Sequence, residues 1–183
     1  MRFPSLRLSA VLLCCCVAGV SAIPSAFAQA APKFVSPPAK AEVALPAAKI
    51  SIDYCAPSIH GRTIFGGLVP YGEVWRTGAN AATTLKTSGD LQIGDLKVPA
   101  GTYTLYSVPS QDGWKLVVNK QTGQWGTVYD KTKDLGRVTM ETGSTAAPLE
   151  TMVIDFEKTM GNATELHVKW AGVDASVAIT AVK

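Results

Sequence analysis

Alternating apolar and polar residues dominate the chain from residue 49 onward. Residues 50–54 place three apolar side chains on one face and two polar side chains on the other. Similar alternation recurs at residues 102–108, 114–119, 152–156, 166–170 and 175–182. A period of two is typical of a β-strand with one buried face, because successive side chains point to opposite sides of a sheet. No stretch carries the apolar stripe of an amphipathic helix.

Turn-forming residues separate these predicted strands. They are Gly94-Asp95, Asp112-Gly113, Gly161-Asn162 and residues 171–174. Many short strands divided by such turns predict an all-β fold. Hairpins with one polar face favour two sheets packed over a shared core. We therefore predict an antiparallel β-sandwich of about eight to ten strands with little helix.

The first 28 residues carry the features of a secretory signal peptide. Arg2 and Arg7 form a short basic start, an apolar run follows over residues 8–20, and residues 26–28 form an Ala-x-Ala cleavage motif. The apolar run is too short for a membrane-spanning helix. We therefore expect a protein that is exported to the periplasm or secreted, without a membrane span.

Cleavage after residue 28 would leave an Ala/Pro-rich spacer over residues 29–36 and a single domain over residues 37–183. The full chain has 17 basic and 14 acidic residues, and loss of Arg2 and Arg7 would leave 15 against 14. This balance gives no indication of a nucleic-acid partner. Cys55 would be the one remaining cysteine, so no internal disulfide is predicted.

A glycine-rich block over residues 61–84 interrupts the strand pattern. It contains five glycines and two arginines without helical or strand periodicity. A long irregular segment inside a compact domain is uncommon unless it has a function. The block is therefore the first place to look for a site.

The polar residues of this block fit a ligand site. Arg62 and Arg76 carry planar sets of donors that suit carboxylates, phosphates or uronic acids. Trp75 beside Arg76 would give an apolar wall with a charged tip, and Asn80 adds an amide, as in sites for sugars or small anions. In the structural alternative, Trp75 fills the core while Arg76 and Asn80 satisfy backbone groups of a long loop.

The sequence carries few signatures of catalysis or metal binding. His60 and Glu73 are ionisable candidates near the block, whereas His167 lies on the polar face of a strand, where we expect it to be solvated. Neither histidine has the spacing of a metal motif, so no metal and no cofactor are predicted. No G-x-S-x-G motif is present. Asp53, Glu73, Asp90 and Asp130 are available as the two carboxylates that a glycosidase needs, but sequence alone does not pair them.

Three segments carry a resemblance to a known family. Residues 61–83, residues 99–106 and the Gln-Trp-Gly motif at 124–126 resemble the bacterial family designated domain of unknown function 2911. The resemblance extends over about residues 36–182 and implies an exported, β-rich protein, with no established activity. Many relatives have Asn-Glu-Ala-Thr where this chain has Asn-Ala-Ala-Thr at residues 80–83, so Ala81 replaces a carboxylate.

The leading hypothesis is a non-catalytic module of the cell envelope that binds a small-molecule or glycan-like ligand through residues 61–84. One alternative is a hydrolase of envelope material that uses a carboxylate or His60. A second alternative is a structural or partner-binding module, which a large exposed apolar patch would favour.

Overall fold

The computed structural model describes residues 36–182. The predicted signal peptide and all but the last residue of the predicted spacer lie outside this range. The described chain forms nine strands, β1 (Pro38–Ala44), β2 (Lys49–Cys55), β3 (Thr83–Thr87), β4 (Leu91–Ile93), β5 (Leu96–Val98), β6 (Gly101–Val108), β7 (Trp114–Asn119), β8 (Asp134–Met160) and β9 (Ala163–Ala181). A short 3-10 helix, Lys131–Lys133, precedes β8. Within residues 36–182, no helix has the length and apolar character needed to span a membrane.

The nine strands form one antiparallel sheet in the order β1-β2-β3-β6-β7-β8-β9-β4-β5. The long strand β8 joins its two parts, since residues 134–140 pair with β7 and the residues from Glu141 onward pair with β9. The prediction of an all-β antiparallel fold with eight to ten strands and little helix is confirmed. A sandwich is compatible with this arrangement, although hydrogen bonding continues through the whole sheet.

One hydrophobic core lies between the two parts of the sheet. Ile52 and Leu116 from one part and Ile179 from the other belong to the same buried cluster. The backbone N–H of Ile154 in β8 donates to the Tyr54 hydroxyl in β2 across 3.0 Å. Because β2 and β8 are far apart in the strand order, this contact shows that the sheet folds over its own core.

The C-terminal hairpin is longer than the sequence pattern predicts. The turn expected at residues 171–174 lies inside β9, where Ala171 has a φ of 54°. Ala171 pairs with Leu149, and the register of β8 against β9 shifts on both sides of Leu149. The predicted turn is therefore wrong, because the partner strand carries matching irregularities and lets the ladder continue through it.

The environment of His167 also differs from expectation. The residue is 5% exposed rather than solvated. Its Nδ1 lies 2.8 Å from Oδ1 of Asp174, and its Nε2 lies 3.3 Å from Oε2 of Glu165. Neighbouring carboxylates therefore replace the water that we expected around this side chain.

The connection from β2 to β3, residues 56–82, contains most of the glycine-rich block and is tied to the sheet. Trp75 and Ser107 exchange two backbone hydrogen bonds of 2.7 and 2.8 Å. The N–H of Ile59 donates to the carbonyl of Glu150, and the N–H of Ala79 donates to the carbonyl of Cys55. These bonds hold the irregular segment against β2, β6 and β8.

Candidate ligand-binding site

The segment between β2 and β3 lines a pocket of about 440 Å³. This volume lies in the range of small-molecule sites, about 300–1,000 Å³. The structure brings all six residues predicted from the sequence to this pocket, namely His60, Arg62, Glu73, Trp75, Arg76 and Asn80. Further lining comes from Tyr106 in β6, from Gly126 and Tyr129 in the connection between β7 and β8, and from Trp170 in β9.

Arg76 is held from two sides. Its Nε donates to the carbonyl of Gly78 across 3.2 Å. Its alkyl chain lies against the backbone of Gly126, whose N–H donates to the carbonyl of Asn80 across 3.0 Å. No carboxylate within residues 36–182 forms an ion pair with Arg76. The guanidinium is thus placed by backbone contacts and keeps donors for another partner.

Arg62 is bonded in a similar way. Its Nε donates to the carbonyl of Ile59 across 2.9 Å, and its Nη2 donates to the carbonyl of Ser58 across 2.6 Å. In contrast, Arg137 outside the pocket forms an ion pair with Asp134, with 3.0 Å between Nη2 and Oδ2. Of the three arginines in residues 36–182, the two that line the pocket are therefore those that the described carboxylates do not neutralise.

Backbone strain is concentrated beside the pocket. His60, Thr77 and Asn80 have φ values of 49°, 49° and 57°. A β-branched residue such as Thr77 is rare at positive φ, and each such residue costs about 1–3 kcal/mol. The buried Thr77 hydroxyl bonds the hydroxyl of Ser107 at 2.7 Å, and the Thr83 hydroxyl donates to the Thr77 carbonyl at 2.8 Å. These hydrogen bonds stabilise the strained turn that follows Arg76.

Trp75 belongs to both the core and the pocket wall. Its ring stacks on Trp170, with centroids 5.9 Å apart and an interplanar angle of 16°. Phe65 and Trp114 meet the ring edge-on at 6.1 and 6.2 Å. Such aromatic contacts hold a ring in one orientation, so the half-buried Trp75 presents a fixed apolar surface to the pocket.

The ionisable candidates lie at the exposed side of the pocket. The backbone N–H of His60 donates to Oε1 of Glu150 across 2.9 Å, and Glu73 is solvent-exposed. The nearby Ser58 hydroxyl shares a hydrogen bond of 2.9 Å with Thr151. Across residues 36–182, no three His, Cys, Asp or Glu residues are grouped so that they could hold a metal ion.

A family model described as "Protein of unknown function (DUF2911)" matches residues 36–179. The chain belongs to the DUF2911 family. No curated protein and no solved structure matches the chain. Every residue that lines the pocket falls within the DUF2911 match, so the pocket is part of the family domain.

Two tyrosines of this DUF2911 domain, Tyr106 and Tyr129, also line the pocket, although the sequence analysis did not select them as site residues. The rings of Tyr106 and Tyr129 meet edge-on at 4.9 Å. The Tyr106 hydroxyl donates to the carbonyl of Val128 across 2.8 Å, and that of Tyr129 donates to Oδ2 of Asp134 across 2.7 Å. Burial, followed by the hydrogen bond to Asp134, raises the pKa of Tyr129. The Gln-Trp-Gly motif at residues 124–126 is the sequence feature that indicates this side of the pocket.

Proposed function

We propose that this DUF2911 protein is an exported, non-catalytic module of the cell envelope that binds a small-molecule or glycan-like ligand in the pocket. The observation that carries the proposal is the arrangement of Arg62, Trp75, Arg76 and Asn80 around one cavity of about 440 Å³. These residues come from an irregular segment that the sheet holds in place. A preformed cavity with a few convergent polar groups is the usual form of a small-molecule site.

The mixed character of the lining supports a ligand with polar and apolar surfaces. The half-buried Trp75 supplies an aromatic wall, and the arginines supply charged donors. Asn80 donates to the carbonyl of Ser36 through Nδ2 at 3.4 Å, which leaves its amide oxygen as an acceptor for a ligand hydroxyl. Sugars offer the same combination of hydroxyl groups and apolar ring faces.

A binding role also fits the chemistry of these residues. Arginine stays protonated in proteins, and an asparagine amide does not titrate, so neither serves as a general base at neutral pH. Both are suited to recognition through hydrogen bonds. The features of a signal peptide over residues 1–28 support the exported location.

Thermal denaturation of the purified mature protein tests this proposal against neutral sugars, sugar acids, muropeptides, phosphates and divalent metals. A ligand at 100 times its Kd adds about 2.7 kcal/mol of stability. For a domain of this size, the expected increase in Tm is roughly 5–10 °C. Loss of the shift in Arg76→Gln would support the pocket as the site. The absence of a shift with every compound would contradict the proposal, and release of products from muropeptides would favour the hydrolase.

A further inference from the structure

The two arginines of the pocket lack a carboxylate partner in the described chain. Arg62 and Arg76 donate to backbone carbonyls, whereas Arg137 is neutralised by Asp134. Arg62 is exposed, so water solvates its charge, whereas Arg76 is partly buried, and a partly buried cation is stabilised by a negatively charged ligand. Building on the proposed function, we infer that the ligand is an acidic sugar whose carboxylate binds at Arg76, with Arg62 adding positive potential.

The charge balance of the pocket favours a ligand with one negative charge. Among the side chains that line the pocket, two arginines, Arg62 and Arg76, stand against one carboxylate, Glu73, while Glu150 bonds the backbone of His60 at the exposed side. A sugar carboxylate carries one negative charge at neutral pH and balances this pocket. A phosphate monoester carries a charge of about −1.5 to −2, so it would leave excess negative charge beside Glu73.

The position of Arg76 suits recognition of a carboxylate. Its Nε is bonded to the Gly78 carbonyl, and its alkyl chain is packed against Gly126. No hydrogen-bond partner for its Nη1 or Nη2 is found among residues 36–182. Two parallel N–H donors match the two oxygens of a carboxylate. Since the side chain is already held in place, little conformational entropy is lost when the ligand binds.

The surroundings of Arg76 suit the sugar ring that would carry this carboxylate. Trp75 precedes Arg76 in the chain and gives the pocket an apolar wall. Asn80 lies on the other side of the turn, with its amide oxygen available to a hydroxyl group. The same pocket therefore offers separate contacts for the charged group, the ring face and the hydroxyl groups of one acidic sugar.

Calorimetric titration with two pairs of sugars tests the inference. N-acetylmuramic acid is compared with N-acetylglucosamine, and glucuronic acid is compared with glucose, because each pair differs by the group that carries the carboxylate. We expect the acid of at least one pair to bind at least about tenfold more tightly than its neutral partner, because hydrogen bonds to a charged group are stronger than those between neutral groups. Because surface charges are screened by salt, 0.5 M NaCl should weaken binding of the acid more than binding of the neutral sugar.

Variants connect this preference to the arginine. Arg76→Gln should abolish the preference for the acid, and Arg76→Lys should retain only part of it because lysine lacks the planar set of donors. Lys86→Gln is the matched control, since Lys86 is exposed and pairs with Asp53 outside the pocket. Circular dichroism verifies folding, and Arg62→Gln provides a second pocket variant if Arg76→Gln fails to fold.

The outcomes separate the two proposals. Equal affinity for the acid and neutral members of both pairs would overturn the acidic-sugar inference and leave a glycan-binding pocket in place. Tighter binding of glucose 6-phosphate than of glucuronic acid would overturn the assignment of a carboxylate. Failure of every sugar to bind would overturn both the inference and the glycan-binding role.

Discussion

Gly126 lies so close to the side chain of Arg76 that a Cβ atom built on Gly126 would stand 2.6 Å from Cδ of Arg76. The same Cβ would lie 2.8 Å from the carbonyl oxygen of Asn80. Real Cβ atoms do not tolerate such distances, so the absence of a side chain at residue 126 determines where Arg76 can lie. The connection between β7 and β8 thereby positions a residue of the glycine-rich block.

Gly126→Ala should therefore displace Arg76 and lower both stability and ligand affinity. Overpacking of a close contact costs about 1–3 kcal/mol in the free energy of unfolding, which denaturant titration measures. Gly172→Ala is the matched control, because a Cβ at Gly172 meets nothing within 4 Å. A Gly126→Ala protein as stable as Gly172→Ala would contradict the contact.

Thr77 and Ser107 should show energetic coupling. Their buried hydroxyls are 2.7 Å apart, and this bond supports the positive φ of Thr77. Thr77→Val and Ser107→Ala each leave the other hydroxyl without this partner, so each should lower stability by about 1–3 kcal/mol. A double-mutant cycle should give a coupling energy of about 1 kcal/mol. Additive losses would show that the hydrogen bond contributes nothing to the turn.

Tyr106→Phe should loosen the connection between β7 and β8 without creating a large cavity. The Tyr106 hydroxyl donates to the Val128 carbonyl and accepts from Nε2 of Gln124 at 3.1 Å. Loss of these bonds should destabilise the protein by about 1–2 kcal/mol and speed amide exchange around residues 121–130. Tyr71→Phe is the comparison, because Tyr71 is 41% exposed. Unchanged exchange in Tyr106→Phe would contradict a role for its hydroxyl as an anchor.

The alternation of apolar and polar residues predicted the strands that have one buried face and one more exposed face. It missed the strand segments that are exposed on both faces. β2 alternates buried and partly exposed residues along its whole length and was recognised from the sequence. In β8, residues 141–150 are mostly exposed, so no apolar alternation marks them. That part of the strand exists because β9 pairs with it, which is a tertiary effect that local sequence does not record.

The sequence predicted only the part of the candidate site that lies in one continuous segment. The absence of periodicity drew attention to residues 61–84, and the structure places the six selected residues around one pocket. Gly126 and Tyr129 reach that pocket from about fifty residues further along the chain. Their positions depend on the order of β3, β6, β7 and β8 in the sheet, which the sequence pattern did not specify.

The charged face of the β8–β9 hairpin should make the protein sensitive to acid. A hydrogen bond from Lys169 is the main cause that lowers the pKa of Glu157 from its ordinary value of 4.5. A hydrogen bond from Lys158 is the main cause that lowers the pKa of Glu165. His167 lies beside both carboxylates. A carboxyl group with a lowered pKa in the folded state stabilises the fold above the pKa of the unfolded chain. This stabilisation is lost as the pH falls through the folded-state value.

Glu157 and Glu165 should therefore have little effect on Tm between pH 7 and pH 5. At pH values below about 4.5 they should lower Tm, because the unfolded chain binds protons there more readily than the folded chain does. Glu157→Gln should have a lower Tm at pH 7 and a shallower decrease toward pH 3, because the side chain no longer titrates. Asp112→Asn, in an exposed turn, is the control and should keep the wild-type profile. If Glu157→Gln shows the wild-type decrease, other carboxylates cause the sensitivity to acid, and the pairing of Glu157 with Lys169 has no measurable share in it.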